Sequence, residues 1–126
     1  QALARAERKN LELQQAQRIV ERSLQDIVND TSLAYKSLGF HRERWRRAQM
    51  TRSYALLRSQ AEGERFLAGF TPAHRVVFAQ QYEVLSLQKE AEAKLDYTLS
   101  RVELERAVGA ALPELLEKAR RPEDTP

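Results

Sequence analysis

Ala68-Gly69-Phe70-Thr71-Pro72 is the stretch on which the fold turns. Gly69 suits the left-handed residue that closes a helix, Thr71 can cap a following one, and Pro72 fits that helix's first turn. Working backward, no Gly or Pro occurs between Ala2 and Leu38, and after Gly39 none occurs until Gly63. A first helix of about 60 residues, on the order of 90 Å long, is therefore expected. Working forward, Ala73 to Val108 is equally uninterrupted. Two long helices and one short turn predict an all-α fold, a long antiparallel two-helix coiled-coil hairpin.

Composition and period agree. Ala, Glu, Lys, Leu and Arg supply 69 of the 126 residues, a bias toward long helices or coiled coil. In the first helix Leu13, Val20, Ile27, Ala34, Ala48 and Ala55 form one seven-residue series, interleaved with Leu24, Leu38, Trp45 and Phe66 in another. The second helix carries two stripes: Val77, Val84, Leu87, Ala91, Leu95 and Val102, and beside it Phe78, Tyr82, Leu85, Tyr97, Leu104 and Val108. A lone hairpin covers one stripe and leaves the other wet, so the element is expected to pack in a wider ring or sheet of helices. Folding about Gly69 places Ala55 near Val84 and Ala48 near Ala91. Charge supports the pairing, because residues 41–75 carry a formal +5 and residues 76–126 a formal −3.

The expected organisation is a long first helix over 1–67, a turn over 68–72, a second helix over 73–109, a short helix over 110–119 and a disordered tail over 120–126. Gly109 and Pro113 are the stops that separate the last helices. Gly39 is a tolerated helical glycine or a break, and the unbroken apolar phase from Ala34 and Leu38 to Trp45 favours the first. Arg52, Ser59 and Glu62 stand where apolar residues sit further back, so the turns before Gly69 are expected to be the loosest and the tip mobile.

Several function classes are excluded or weakened. Without Cys there is no disulfide framework, thiolate nucleophile or cysteine zinc site. Mean hydropathy is −0.63 and no apolar run approaches the roughly 18 residues of a membrane-spanning helix. The opening residues do not read as a basic-then-apolar leader, and a start inside a helix without an initiator Met is expected of a piece of something larger. His41 and His74 lie at opposite ends of the tip half, and no phosphate loop, paired-histidine metal motif or nucleophile elbow occurs, so neither an enzyme nor a metal or cofactor site is expected. The run His41-Arg42-Glu43-Arg44-Trp45-Arg46-Arg47 leaves a basic coiled coil that binds nucleic acid as an alternative, and a plain dimerisation spacer as another. Its charges, however, spread around the helix and face acidic residues of the second helix, as on a solvated, salt-bridged surface.

Ordered motifs then add a resemblance. They begin with Leu11-Glu12-Leu13-Gln14-Gln15-Ala16-Gln17 and Val28-Asn29-Asp30-Thr31-Ser32-Leu33-Ala34-Tyr35. Arg65, Phe66 and Gly69 follow at the turn, then Val76, Ala79 and Gln80, and finally Asp96-Tyr97 and Leu104-Glu105-Arg106-Ala107-Val108-Gly109. Over about residues 10–112 the chain resembles the C-terminal half of the periplasmic helical region of TolC-family outer-membrane efflux channels. The resemblance implies one wall segment of a trimeric α-helical barrel, a homotrimer in the full-length protein, that continues into an outer-membrane β-barrel of a Gram-negative bacterium. Such a tunnel exports small molecules. Its hairpin tip meets a periplasmic adaptor protein, which links it to an inner-membrane pump. By position, Arg65, Gly69, Phe70 and Thr71 are the adaptor-contacting residues the resemblance implies. Family members often carry carboxylates one turn past the tip glycine, at a closed entrance. Arg75 and Phe78 hold the equivalent positions here, which implies a basic and bulky pore constriction in place of an acidic one. No alternating strands of a β-barrel occur in the chain. Cut from its neighbours, the hairpin is expected to self-associate.

Overall fold

A computed structural model describes residues 1–120. It consists of two helices, α1 over Ala2–Leu67 and α2 over Ala73–Arg120, joined through the expected turn into an all-α helical hairpin. No strand occurs among the described residues. The chain divides into two compact units: Lys36–Val102, which contains the turn, and Gln1–Tyr35 with the chain from Glu103 onward.

α1 passes through Gly39 and Gly63 without a break. Each helical glycine costs about 1 kcal/mol relative to Ala, which a helix of this length and composition tolerates. α2 differs from expectation at its far end. It continues through Gly109 and Pro113 to Arg120, so 73–109 and 110–119 are one helix and Arg120 belongs to it. The physical reason lies in the spacing. Pro113 withholds the N–H that would reach the Gly109 carbonyl four residues back, and Gly109 is solvent-exposed, so that carbonyl is free to meet water. The remainder of the expected disordered tail, residues 121–126, lies outside the described residues.

In the turn-containing unit the helices meet along a seam spaced alternately by three and four residues. α1 contributes Leu38, His41, Trp45, Ala48, Ala55, Ser59 and Glu62, all half-buried except the fully buried Ala55. α2 contributes Val76, Ala79, Glu83, Ser86, Glu90, Ala93, Tyr97 and Ser100. The most deeply buried residues among those described are small: Ala55, Ala79, Ala93, Ser86 and Ser100, with Thr71 beside the turn. Alanine and serine let two backbones approach closely, and burial of so little apolar surface per residue leaves the larger side chains outside. Register follows from three cross-helix contacts. Arg44 Nη1 donates to Asp96 Oδ2 at 2.9 Å, Arg52 Nη1 donates to Glu90 Oε2 at 2.7 Å, and Trp45 stacks on Tyr97 with ring centroids 5.3 Å apart. These set Ala48 opposite Ala93 and Ala55 opposite Ser86, two residues further along α2 than the expected partners Ala91 and Val84.

The two apolar stripes of α2 lie differently from expectation. Neither packs in the seam as a stripe. Val77, Val84, Leu87, Leu95 and Val102 are all exposed, as are Phe78, Tyr82 and Leu85, while Tyr97 enters the seam. Nearer the turn, polar residues occupy positions of the seam. Arg52 reaches across to Glu90, and Ser59, Glu62 and Gly63 are half-buried.

In the other unit Leu24, Ile27, Thr31 and Ala34 of α1 meet Leu104, Ala107 and Ala111 of α2, all half-buried, so the heptad spacing is kept there as well. Leu104 is thus another member of the expected stripe that the seam takes up. An apolar groove of about 600 Å³ runs beside these residues, lined by Ile27, Val28, Tyr35, Val108, Leu112 and Leu115 among others. Residues 1–22 of α1 are exposed throughout.

Candidate interaction site at the hairpin turn

Gly69 closes α1. Its φ of 82° is the only positive value among the described residues, and glycine alone reaches it without a Cβ penalty. The Phe70 N–H donates to the Arg65 carbonyl at 2.9 Å and the Gly69 N–H to the Phe66 carbonyl at 3.0 Å, which together satisfy the last carbonyls of the helix. On the far side the Arg75 N–H donates to the Pro72 carbonyl at 3.2 Å. Thr71 does not act as the expected cap. Its Oγ1 is buried and lacks a hydrogen-bond partner, and α2 begins two residues later at Ala73.

This backbone holds Phe70 out in solvent. The ring is 82% exposed and Leu67, one residue before the turn, is 85% exposed. Phe66, Val77 and Phe78 add further exposed apolar surface nearby in sequence. A cluster of this kind is apolar surface in want of a partner. Arg65 stands at its edge with most of its side chain in water, 3.8 Å from Glu62 on the preceding turn. Of the four residues expected at an adaptor contact, Arg65, Gly69 and Phe70 therefore lie at the surface, whereas Thr71 is buried and supports the turn from within. Arg75 and Phe78, one helical turn apart on α2, are both exposed, and Phe78 meets the His74 ring edge-on at 6.0 Å. Leu67 is not among the residues expected at the turn surface, yet it is exposed there. Its signal is its place in the last turn before the closing glycine, where a core leucine has no seam position to occupy.

The basic run resolves into paired and unpaired members. Arg44 is held by Asp96 and Arg47 lies 3.6 Å from Glu43. Trp45 is in the seam against Tyr97, so one face of its ring is taken. His41 Nδ1 and Trp45 Nε1 are buried without hydrogen-bond partners. No group of three or more His, Cys, Asp or Glu capable of holding a metal occurs among the described residues, and none of their helices is long and apolar enough to cross a membrane. Compared with protein-family models, curated proteins and solved structures, the chain matches none.

Proposed function

We propose that this chain is a wall segment of a tunnel built from helical hairpins, of the TolC-like outer-membrane efflux type, and that its turn docks a periplasmic adaptor. In this reading the full-length protein is a homotrimer that exports small molecules, and the helical segment stands in the periplasm. The observation that carries the reading is the composition of the seam. Because Ala55, Ala79, Ser86 and Ala93 hold α1 to α2, most of the leucines, valines and aromatics that would ordinarily form a core remain on the outside. Lateral neighbours bury such surface in a ring of helices, and water alone does not.

The turn fits the second half of the reading. Phe70 and Leu67 form an apolar knob at the glycine turn, with the Arg65 guanidinium beside it for a polar anchor. Aromatic and arginine side chains of this kind are the usual energetic centre of a protein contact. Substitution of Arg65→Glu or Phe70→Asp in the full-length protein is expected to abolish efflux while the trimer still forms. Normal export by either variant would show that the turn does not make this contact.

A further inference from the structure

The geometry points to a small-molecule site on the turn-containing unit, at a groove beside the Trp45–Tyr97 stack, for a flat aromatic compound bearing a carboxylate or sulfonate. The groove measures about 700 Å³ and is lined by Gly39, Arg42, Glu43, Trp45, Arg46 and Tyr97 among others. It lies away from the turn, and its assignment does not rest on the tunnel reading.

Three observations carry it. First, Arg42 and Arg46 make no ion pair or hydrogen bond among the described residues, in contrast to Arg44 and Arg47 in the same run. They lie four residues apart and so share one face of α1, where two like charges repel unless an anion comes between them. Their planar guanidinium forks match a carboxylate or sulfonate bidentately. Second, Gly39 has no structural reason to be glycine. Its φ is not positive, and a Cβ built on it would meet nothing within 4 Å. Its effect is to leave the surface hollow one turn before Arg42 and Glu43. Third, the two stacked aromatic side chains are among its lining. The indole and phenol rings lie 28° from parallel, and their edges give an apolar ring something to pack on. Glu43 is turned toward Arg47, which moderates its repulsion of an incoming anion.

Trp45 is the chain's single tryptophan, so the site carries its own reporter. Titration of the 126-residue chain with 4-sulfobenzoate, read by Trp45 fluorescence and by calorimetry, is expected to give saturable binding in the range of roughly 0.1–1 mM. Arg42→Gln with Arg46→Gln is expected to weaken it by roughly tenfold or more, with circular dichroism unchanged because both positions are exposed and Gln favours helix. Gly39→Gln fills the hollow and is expected to abolish binding while the helix is kept. Benzamide and inorganic sulfate, each lacking half of the chemistry, are expected to bind at least roughly tenfold more weakly. Absence of saturable binding, equal binding by the double arginine variant or by Gly39→Gln, or equal binding of sulfate or benzamide would each overturn the assignment. So would competition by a short acidic peptide as strong as that of the aromatic anion, which would make the patch a peptide-docking face.

Discussion

Arg52 and Glu90 face each other across the seam, Nη1 to Oε2 at 2.7 Å, in positions where a coiled coil ordinarily places apolar side chains. The Glu90 side chain is only 14% exposed whereas that of Arg52 is half in water, so the pair is anchored from the α2 side. It links residues 38 positions apart in sequence and fixes the register of the two helices. A one-residue slip would separate the two charges, and the alanine seam alone would resist such a slip poorly.

Removal of either partner leaves the other without its counter-charge. Arg52→Ala is expected to destabilise the hairpin more than Glu90→Gln does, because it strands a largely buried carboxylate. A double-mutant cycle followed by thermal unfolding should give a coupling of about 0.5–1 kcal/mol, discounted for the exposure of Arg52. A coupling indistinguishable from zero would remove the pair from the account of register.

The fully buried alanines have no room beside them. Ala55→Leu or Ala93→Leu is expected to cost about 1–3 kcal/mol by overpacking, since the added carbons must push α1 and α2 apart. The same change at exposed Ala61 should be close to neutral. Equal melting temperatures for all three would contradict the close approach of the helices.

At the turn, Gly69→Ala forces a Cβ into the left-handed region. The expected loss is about 1–2 kcal/mol, although space is open there, because the cost is one of backbone conformation and not of contact. Gly63→Ala, in a regular helix with equally open surroundings, should instead stabilise by about 0.5–1 kcal/mol. Chemical denaturation of the two variants side by side checks both signs.

Of the arginines in the basic run, only Arg42 and Arg46 have no ion-pair partner among the described residues, and this limits what nucleic acid could gain. If both met phosphates, log K would fall with log salt at a slope of about −1.8, or roughly twelvefold between 50 and 200 mM. Titration with a duplex at those two salt concentrations is expected to show weak binding with at most that slope. A loss of a thousandfold would instead speak for a nucleic-acid-binding coiled coil.

Much of the hairpin is legible in the residues themselves. Gly69 and Pro72 mark the turn, and the apolar series through Ile27, Ala34, Leu38, Trp45, Ala48 and Ala55 marks the α1 seam. The α2 seam is not legible by hydrophobicity, because Ala79, Ser86, Ala93 and Ser100 are less apolar than the valines and leucines that flank them. Closeness of backbones, and not apolar area, selects that face. Pro113 misleads for a related reason: its cost to a helix depends on the carbonyl four residues back, and Gly109 leaves that carbonyl accessible to water. The exposed ring of Phe70 is foreseeable from its place after the closing glycine, whereas burial of Thr71 follows only from how the two helix ends come together.

The central claim is that the apolar flanks of the turn-containing unit are made to be covered by other hairpins. Sedimentation equilibrium of the chain over a range of concentrations tests it most directly, with Val84→Glu and Leu85→Glu as variants exposed on either side of the seam. Mass action toward oligomers is expected for the unaltered chain and a shift to monomer in each variant, with helix content retained. A monomer at every concentration, or association untouched by both glutamates, would contradict it.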